Sequence, residues 1–79
     1  MAAIPQERIA EFELYFAIAE RIVEVLKQKG MTRRDLANKL GKRESEISKW
    51  LTGRHNFTIS TLSRISSALG EDIIMVVRK

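Results

Sequence analysis

The sequence contains no cysteine, a single histidine and a single proline among its 79 residues. Without cysteine there are no disulfide bonds and no thiolate metal ligands, and one histidine, His55, cannot build a zinc site by itself. The N-terminus lacks the basic segment and apolar run of a secretory signal, and no stretch approaches the ~18 apolar residues of a membrane span. These absences favour a protein of the reducing cytoplasm, with no metal site and no membrane contact.

The groupings that usually carry catalysis are absent as well. The sequence has no glycine-rich phosphate loop and no paired-carboxylate site. His55 has no neighbouring acid and nucleophile, and the serines that follow it are interpreted as the solvated side of a helix: Ser60, Ser63, Ser66 and Ser67. We therefore expect no enzymatic activity, no catalytic residue and no cofactor.

A chain of this length is expected to form one small domain, over residues 1–79. Such a chain buries only about 60% of the surface of its unfolded state, so its core is small. Regular helix packing or a partner chain is the usual way to stabilise a domain of this size when disulfides are missing.

Positive charge is concentrated in the middle of the sequence. Residues 1–26 contain two basic and five acidic residues, 2 − 5 = −3, whereas residues 27–54 contain nine basic and three acidic residues, 9 − 3 = +6. Residues 55–79 add 3 − 2 = +1, which brings the net charge to +4. A basic middle beside an acidic N-terminal third favours a surface that faces a polyanion over an ordinary solvated face.

A long helix is predicted over residues 6–29, since no proline or glycine interrupts this segment. Its apolar residues form two adjacent stripes at helical spacing: Ile18, Ile22 and Val25, and then Phe12, Phe16, Ala19, Val23 and Leu26. The two stripes together are wider than one core contact needs. The surplus lies at the N-terminal end, in Phe12, Tyr15 and Phe16. It either packs on the rest of the chain or forms an interface with another chain.

Positions 30–54 read GMTRRDLANKLGKRESEISKWLTGR, in which three glycines recur at the interval of a short helix plus a turn. Thr32 followed by Asp35 resembles a capping box, which predicts a second helix from Arg33 to Lys39 or Leu40. A third helix is predicted over residues 44–51. Its apolar side, with Trp50 as a core residue, leaves four polar residues facing outward: Ser45, Ser48, Lys49 and Thr52.

A fourth helix and a strand are predicted for the remainder. Thr58 is a plausible N-cap for a helix that ends at Leu69, with an inward face of Ile59, Leu62, Ile65 and Leu69. Residues 72–78 contain an uninterrupted apolar run, mostly β-branched, which favours a β-strand: Ile73, Ile74, Met75, Val76 and Val77. The chain offers no second strand. The segment therefore either pairs with another chain, which we favour, or lies as an extended tail on the helices.

Two short helices joined at Gly41 form a helix-turn-helix, in which the glycine permits a turn with positive φ. In this motif the first helix positions the second, which lies in the major groove of DNA and meets base edges with its N-terminal residues. The basic pairs Arg33-Arg34 and Lys42-Arg43 stand at the N-termini of the two helices, where charge adds to backbone N–H donors facing phosphate.

The composite pattern resembles the Cro/repressor (Xre-like) helix-turn-helix family, whose members read much like MTxxxLAxxLGxxxSxISxWxxGxxxxxxxTLxxIxxALG. This sequence has MTRRDLANKLGKRESEISKWLTG followed by ISTLSRISSALG, and the resemblance covers residues 18–70 without gaps. The long N-terminal helix, the LTGRHNFTISTL stretch and the apolar C-terminal segment are most similar to one branch, the HigA-type antitoxins of toxin–antitoxin pairs.

The resemblance implies roles for individual residues. Arg33 matches a position that contacts the backbone or the outermost base, and Arg43, Glu44 and Ser45 match the reading positions of the recognition helix. Lys49 lies one turn further along the same face. The loop residues that match phosphate contacts are Thr52, Arg54 and His55. Glu44 either accepts a hydrogen bond from cytosine N4 or satisfies the helix dipole.

We therefore predict an all-α, lambda-repressor-like helix-turn-helix domain with a long N-terminal helix and a C-terminal β-strand. The expected function is sequence-specific binding of double-stranded operator DNA by a homodimer, as the antitoxin and autorepressor of a type II pair with a cognate toxin. A stand-alone Xre-like repressor is the first alternative. A protein-interaction module on the same fold is the second, and the basic stretch 27–54 argues against it.

Overall fold

The computed structural model describes residues 6–76 of the protein, with side chains from residue 8 onwards. Four helices follow one another: α1 (Gln6–Lys29), α2 (Arg33–Leu40), α3 (Glu44–Trp50) and α4 (Ile59–Leu69). These bounds confirm the helices predicted from sequence to within one residue, since α3 ends at Trp50 and Leu51 is its C-cap. No helix within this part of the chain combines the length and the apolar character that crossing a membrane requires.

All four helices contribute to one hydrophobic core. It includes Trp50, which is 7% exposed and is therefore a core residue, as predicted. The loop before α4 adds Phe57 and the segment after it adds Ile73. The buried cluster consists of Ile22, Val25, Leu26, Leu36, Ala37, Ile47, Trp50, Phe57, Leu62, Ile65, Leu69 and Ile73.

The two halves of α1 have different surroundings. From Ile18 onwards the helix packs on the core, whereas the N-terminal half projects beyond it. Phe12 is 50% exposed and Phe16 is 56% exposed. Tyr15 is half-buried, and its hydroxyl donates a hydrogen bond to the Glu11 carboxylate, which raises the pKa of Tyr15 above its usual value. The apolar surplus of α1 therefore stays largely uncovered by the chain itself.

The predicted C-terminal β-strand is wrong. No strand is found over residues 6–76, and residues 72–76 follow α4 as irregular backbone. Ile73 is 6% exposed and belongs to the core, so it does not form the predicted interface. Ile74, Met75 and Val76 are exposed, and the last two residues of the predicted strand, 77 and 78, lie outside the described part of the chain.

At the start of this segment, side chains of α1 and α4 form hydrogen bonds with backbone groups that a neighbouring strand would otherwise bind. The Arg21 guanidinium donates two hydrogen bonds to the Asp72 carbonyl, at 3.1 and 3.2 Å, and the Ile73 N–H donates to Ser66 Oγ at 3.2 Å. Lys29 Nζ lies 3.7 Å from the Glu71 carboxylate. These contacts hold the segment against α1 and α4. A β-strand does not form, because a sheet needs a second strand and high β-propensity in one segment cannot provide it.

One inward position of α4 was also predicted wrongly. Leu62, Ile65 and Leu69 are buried, but Ile59 is 81% exposed. Ile59 is the first residue of the helix, directly after the N-cap Thr58, whose side chain accepts a hydrogen bond from the Thr61 N–H at 3.1 Å. Helical spacing therefore identified the stripe correctly, but the core does not extend to the end of the helix.

Candidate nucleic-acid interface

The first helix of the helix-turn-helix is fixed at its N-terminus by a reciprocal pair of hydrogen bonds. The Asp35 N–H donates to Thr32 Oγ1 at 3.1 Å, and the Thr32 N–H donates to the Asp35 carboxylate at 2.8 Å. This is the predicted capping box, and it satisfies N–H groups that the first turn of α2 leaves unpaired. The hydrogen bond from the Thr32 backbone lowers the pKa of Asp35.

The turn between α2 and α3 has the glycine conformation that the sequence predicted. Gly41 has φ of 66°, the left-handed region that glycine adopts without a steric penalty. The Lys42 N–H donates to the Ala37 carbonyl at 2.9 Å, which closes the end of α2. From α4, the Arg64 guanidinium donates to the Leu40 carbonyl at 3.1 Å. The angle at which α3 leaves the turn is therefore set from both sides.

Helix α3 is anchored by one side and open on the other. Ile47 is fully buried and Trp50 is nearly so, while Glu44, Ser45 and Lys49 are exposed. At its start, the backbone N–H of Arg43 donates to the Glu46 carboxylate at 3.4 Å, so Glu46 acts as a local cap. Glu44 and Glu46 also complement the positive end of the helix dipole.

The structure brings one residue of α2 into contact with the outer face of α3. Arg33, the first residue of α2, places Nη1 3.3 Å from Ser48 Oγ and donates a hydrogen bond to it. Arg33 is exposed and Ser48 is half-buried. A guanidinium is thus held at the edge of the surface that Ser45 and Lys49 share, with most of its donors still open to a ligand.

The loop after α3 uses one predicted contact residue for its own structure. The Thr52 hydroxyl donates to the Lys49 carbonyl at 2.8 Å and accepts from the Arg54 N–H at 3.3 Å. Thr52 therefore fixes the loop and is less free to contact a ligand than the resemblance implied. Arg54 remains exposed, with its backbone position set by Thr52.

His55 sits in an aromatic cluster beside α3. Its ring centroid lies 4.8 Å from that of Phe57 and 6.1 Å from that of Trp50, and the residue is half-buried. Lys42 Nζ also lies over the Trp50 ring, 5.9 Å from the indole centroid. A cleft of about 250 Å³ runs between these groups and brings Lys42, Lys49 and His55 to one surface.

Lys42 is the functional candidate that residue-by-residue comparison missed. The sequence places it in a basic pair before α3, but only the fold shows that its Nζ lies over the Trp50 ring and that it lines the same cleft as Lys49 and His55. Its adjacency to a helix start was the available signal. The net charge of residues 27–54, 9 − 3 = +6, is consistent with a surface that contacts a polyanion.

The geometry agrees with the comparison to known families. The helix-turn-helix family model matches residues 22–74, which is more than half of the chain. The chain therefore belongs to the Cro/C1-type (Xre-like) helix-turn-helix family. Comparisons with curated proteins and with solved structures gave no match.

Membership of this family defines the class of protein. It is a DNA-binding transcriptional regulator, of a family that is not typically enzymatic. The matched residues include α2, the turn, α3 and the whole of α4, and they end just after the buried Ile73. They begin at Ile22, so the projecting N-terminal half of α1 lies outside the match.

Proposed function

We propose that the protein is a sequence-specific repressor that binds operator DNA as a homodimer, with α3 in the major groove. The observation that carries the proposal is the way α3 is mounted: Ile47 and Trp50 hold it from inside, while Ser45 and Lys49 are presented outward. A helix anchored in this manner can lie in the groove without unfolding any part of the core.

Two groups of residues have different expected roles. Base edges are assigned to the outer face of α3 and its first residues: Arg43, Glu44, Ser45, Ser48 and Lys49. Phosphates are assigned to the surrounding cations and to His55: Arg33, Lys42, Arg54 and His55. Thr52 supports this group by fixing the loop that carries Arg54. The first group selects sequence and the second supplies affinity that depends on salt.

A homodimer is proposed because one recognition helix reads only a few base pairs. Dimers of this motif contact two half-sites about one helical turn apart, ~34–36 Å, which makes a site long enough to be unique. A palindromic site protected over two successive turns of DNA is the expected footprint, and protection of a single half-site by a monomer contradicts this part of the proposal.

The test uses a duplex that the wild-type protein selects from a randomised pool. Ser45→Ala and Lys49→Ala are each expected to lose ~1–3 kcal/mol of discrimination between this duplex and random DNA, because base contacts are removed from an exposed face. Circular dichroism provides the check on folding. Unchanged discrimination by both folded variants contradicts the placement of α3 in the groove.

An antitoxin role is a second candidate, favoured by apolar side chains that the fold does not need. Met75 is 82% exposed and Val76 is 73% exposed beyond the core, on the same chain that exposes Phe12 and Phe16. Single exposed apolar residues are common, but clusters of them usually mark contacts with another protein. Co-expression with the product of the adjacent gene tests this role: a ribonuclease whose toxicity this protein relieves supports it, and the absence of a toxic neighbour leaves the solitary repressor.

The third candidate, an interaction module without DNA binding, makes an opposite prediction in a salt titration. A protein that neutralises several phosphates loses affinity for random duplex DNA steeply as salt rises. A pure interaction module shows no such slope. The +6 balance of residues 27–54 supports the first behaviour.

A further inference from the structure

The exposed half of α1 carries apolar residues in heptad spacing. Ile9, Phe12, Phe16, Ala19 and Val23 follow at intervals of three, four, three and four residues, which is the pattern of positions a and d in a coiled coil. Ile9 is 43% exposed, and Phe12 and Phe16 are at least half exposed. We call the line formed by these five residues the α1 seam. It begins outside the core and runs into it at Ala19.

A groove continues the α1 seam towards the helix-turn-helix. It has a volume of about 420 Å³ and lies between α1 and the side chain of Leu51, which follows α3. Phe16, Ala19 and Val23 line it from α1, and its edge carries the charged residues Glu20, Glu24 and Lys27. An apolar helix lying along the seam therefore has side-chain space to fill on the body as well as on the exposed half of α1.

The charges beside the α1 seam identify what can lie along it. In the heptad register, Arg8 and Tyr15 occupy g positions and Glu13 and Glu20 occupy e positions. Neither Arg8, Glu13 nor Glu20 forms an ion pair within residues 8–76, where the pairs are Arg21–Glu24 and Lys29–Glu71. These edge charges are available to a partner helix. Whether they meet opposite or like charges distinguishes a parallel partner from an antiparallel one.

A second copy in parallel orientation satisfies these edges. In parallel two-stranded coils, a g residue faces the e residue five positions further along the partner helix. Arg8 then faces Glu13 of the other copy, twice by symmetry. The antiparallel arrangement that stacks Phe12 on Val23 brings e edges together, which places Glu13 against Glu20 and is repulsive.

We propose that the α1 seam is the surface through which two copies of this chain pair, in parallel and about a two-fold axis. The inference rests on the proposed operator-binding homodimer and specifies its interface. Ile9, Phe12 and Phe16 form the contact, and Arg8–Glu13 pairs fix its direction. The two recognition helices are thereby related by the symmetry that a palindromic site requires.

The decisive experiment exchanges the paired charges and measures mass by sedimentation over a range of concentrations, without DNA. Arg8→Glu and Glu13→Arg are each expected to raise the dimer dissociation constant about tenfold, since attraction becomes repulsion at two symmetric sites. The double variant R8E/E13R restores the pairs in reverse and is expected to dimerise like the wild type. Phe12→Ser is expected to be monomeric.

Leu14→Ser is the matched control, because Leu14 is 62% exposed but lies two residues from Phe12, on the opposite side of α1. It should leave the mass unchanged. Orientation is tested separately with single cysteines, which are unambiguous in a chain that has none of its own. Ile9→Cys should oxidise to a covalent dimer, because residue 9 meets its own counterpart only in the parallel arrangement, and Leu14→Cys should not.

Failure of this inference is distinguishable from failure of the proposed function. Three results would overturn the α1 seam as the dimer interface. The first is a wild-type protein that stays monomeric at its highest soluble concentration, and the second is a dimer that Phe12→Ser and the single charge reversals all leave intact. The third is a double variant that dimerises no better than the single variants. Discrimination lost in Lys49→Ala and Ser45→Ala would still support operator binding in each of those cases. Conversely, a seam dimer with no DNA discrimination refutes the repressor and retains the interface.

Discussion

The projecting half of α1 and the helix-turn-helix differ in charge, in packing and in their relation to the family. Residues 27–54 are basic, and their apolar residues are all buried or half-buried, whereas the N-terminal third is acidic and exposes two phenylalanines. The family match includes the helix-turn-helix and starts at Ile22. The contrast teaches that the helix-turn-helix residues build the buried core, whereas the projecting half leaves Phe12 and Phe16 at least half exposed. The pairing proposed for the α1 seam is one account of these exposed residues, and the predictions below test the contrast itself.

The largest effect expected from this contrast is on stability. Leu36 is fully buried, so Leu36→Ala should lower the free energy of unfolding by ~2–5 kcal/mol, which is severe for a domain of this size. Phe12→Ala removes a larger side chain but an exposed one, and should change the stability of the monomer by less than ~0.5 kcal/mol. Denaturant unfolding of both variants at low protein concentration makes the comparison. Equal losses contradict the division between body and projecting half.

Gly53 is the point at which the two regions touch. Its φ is 83°, and a Cβ added there lies 2.9 Å from Cδ2 of Phe16. Gly53→Ala should cost ~1–2 kcal/mol from the backbone conformation alone, with an additional cost from displacing the ring. Gly30→Ala is the control, since φ is 63° and no atom lies within 4 Å of the added Cβ.

A double-mutant cycle isolates the contact between Phe16 and residue 53. In a Phe16→Ala background, Gly53→Ala should cost about as much as Gly30→Ala, because only the strain of a positive φ remains. Additive losses from Phe16→Ala and Gly53→Ala, measured by thermal or denaturant unfolding, mean that the two regions do not communicate at this position.

Arg54→Ala tests DNA binding by the helix-turn-helix without changing the projecting half of α1. Arg54 is exposed and lies in the loop that Thr52 fixes, so the variant should bind all duplexes more weakly by about 1 kcal/mol and reduce the slope of log affinity against log salt by about 1. Preference for the selected duplex over random DNA should persist. A change in that preference assigns Arg54 to base recognition.

The smallest effect is expected from the cap of α2. The pKa of Asp35 is lowered in the folded protein, chiefly by the Thr32 N–H, so its stabilising contribution is present above the unfolded value near 4 and is lost as pH falls through the folded value. The melting temperature of Asp35→Asn should therefore decrease less than that of the wild type when the pH is lowered from neutral to acidic. An equal decrease in the melting temperatures of both proteins on acidification contradicts a role for this carboxylate.

Local sequence signals were sufficient for the helices and their ends. Thr32 with Asp35, Thr58 and Gly41 each act within four residues of their own position, and each is found in the predicted geometry. Trp50 was assigned to the core because its helical face could be followed over one short helix. Features of this kind depend on hydrogen bonds and sterics that neighbouring residues determine.

Contacts across the fold could not be predicted in the same way. The apolar segment after Asp72 has strand propensity, but only the packed helices show that Arg21 and Ser66 satisfy its backbone and that Ile73 completes the core. The hydrogen bond from Arg33 to Ser48 depends on the angle of the turn at Gly41, and the position of Lys42 depends on the Trp50 ring. Sequence patterns proposed candidate residues for the site, and the fold shows how these residues are arranged.

The ring of Phe16 against Gly53 has a consequence for how the protein responds to its own abundance. Under the proposed pairing, a helix that docks beside Phe16 would also press on the loop that leads to Arg54, so that pairing and DNA contact would share one structural element. If pairing favours one arrangement of that loop, then DNA that favours the same arrangement strengthens pairing by the same factor. Because two monomers would bind one site, occupancy of the DNA would rise with roughly the square of the monomer concentration, and this contact of a few atoms would set the concentration at which the rise occurs.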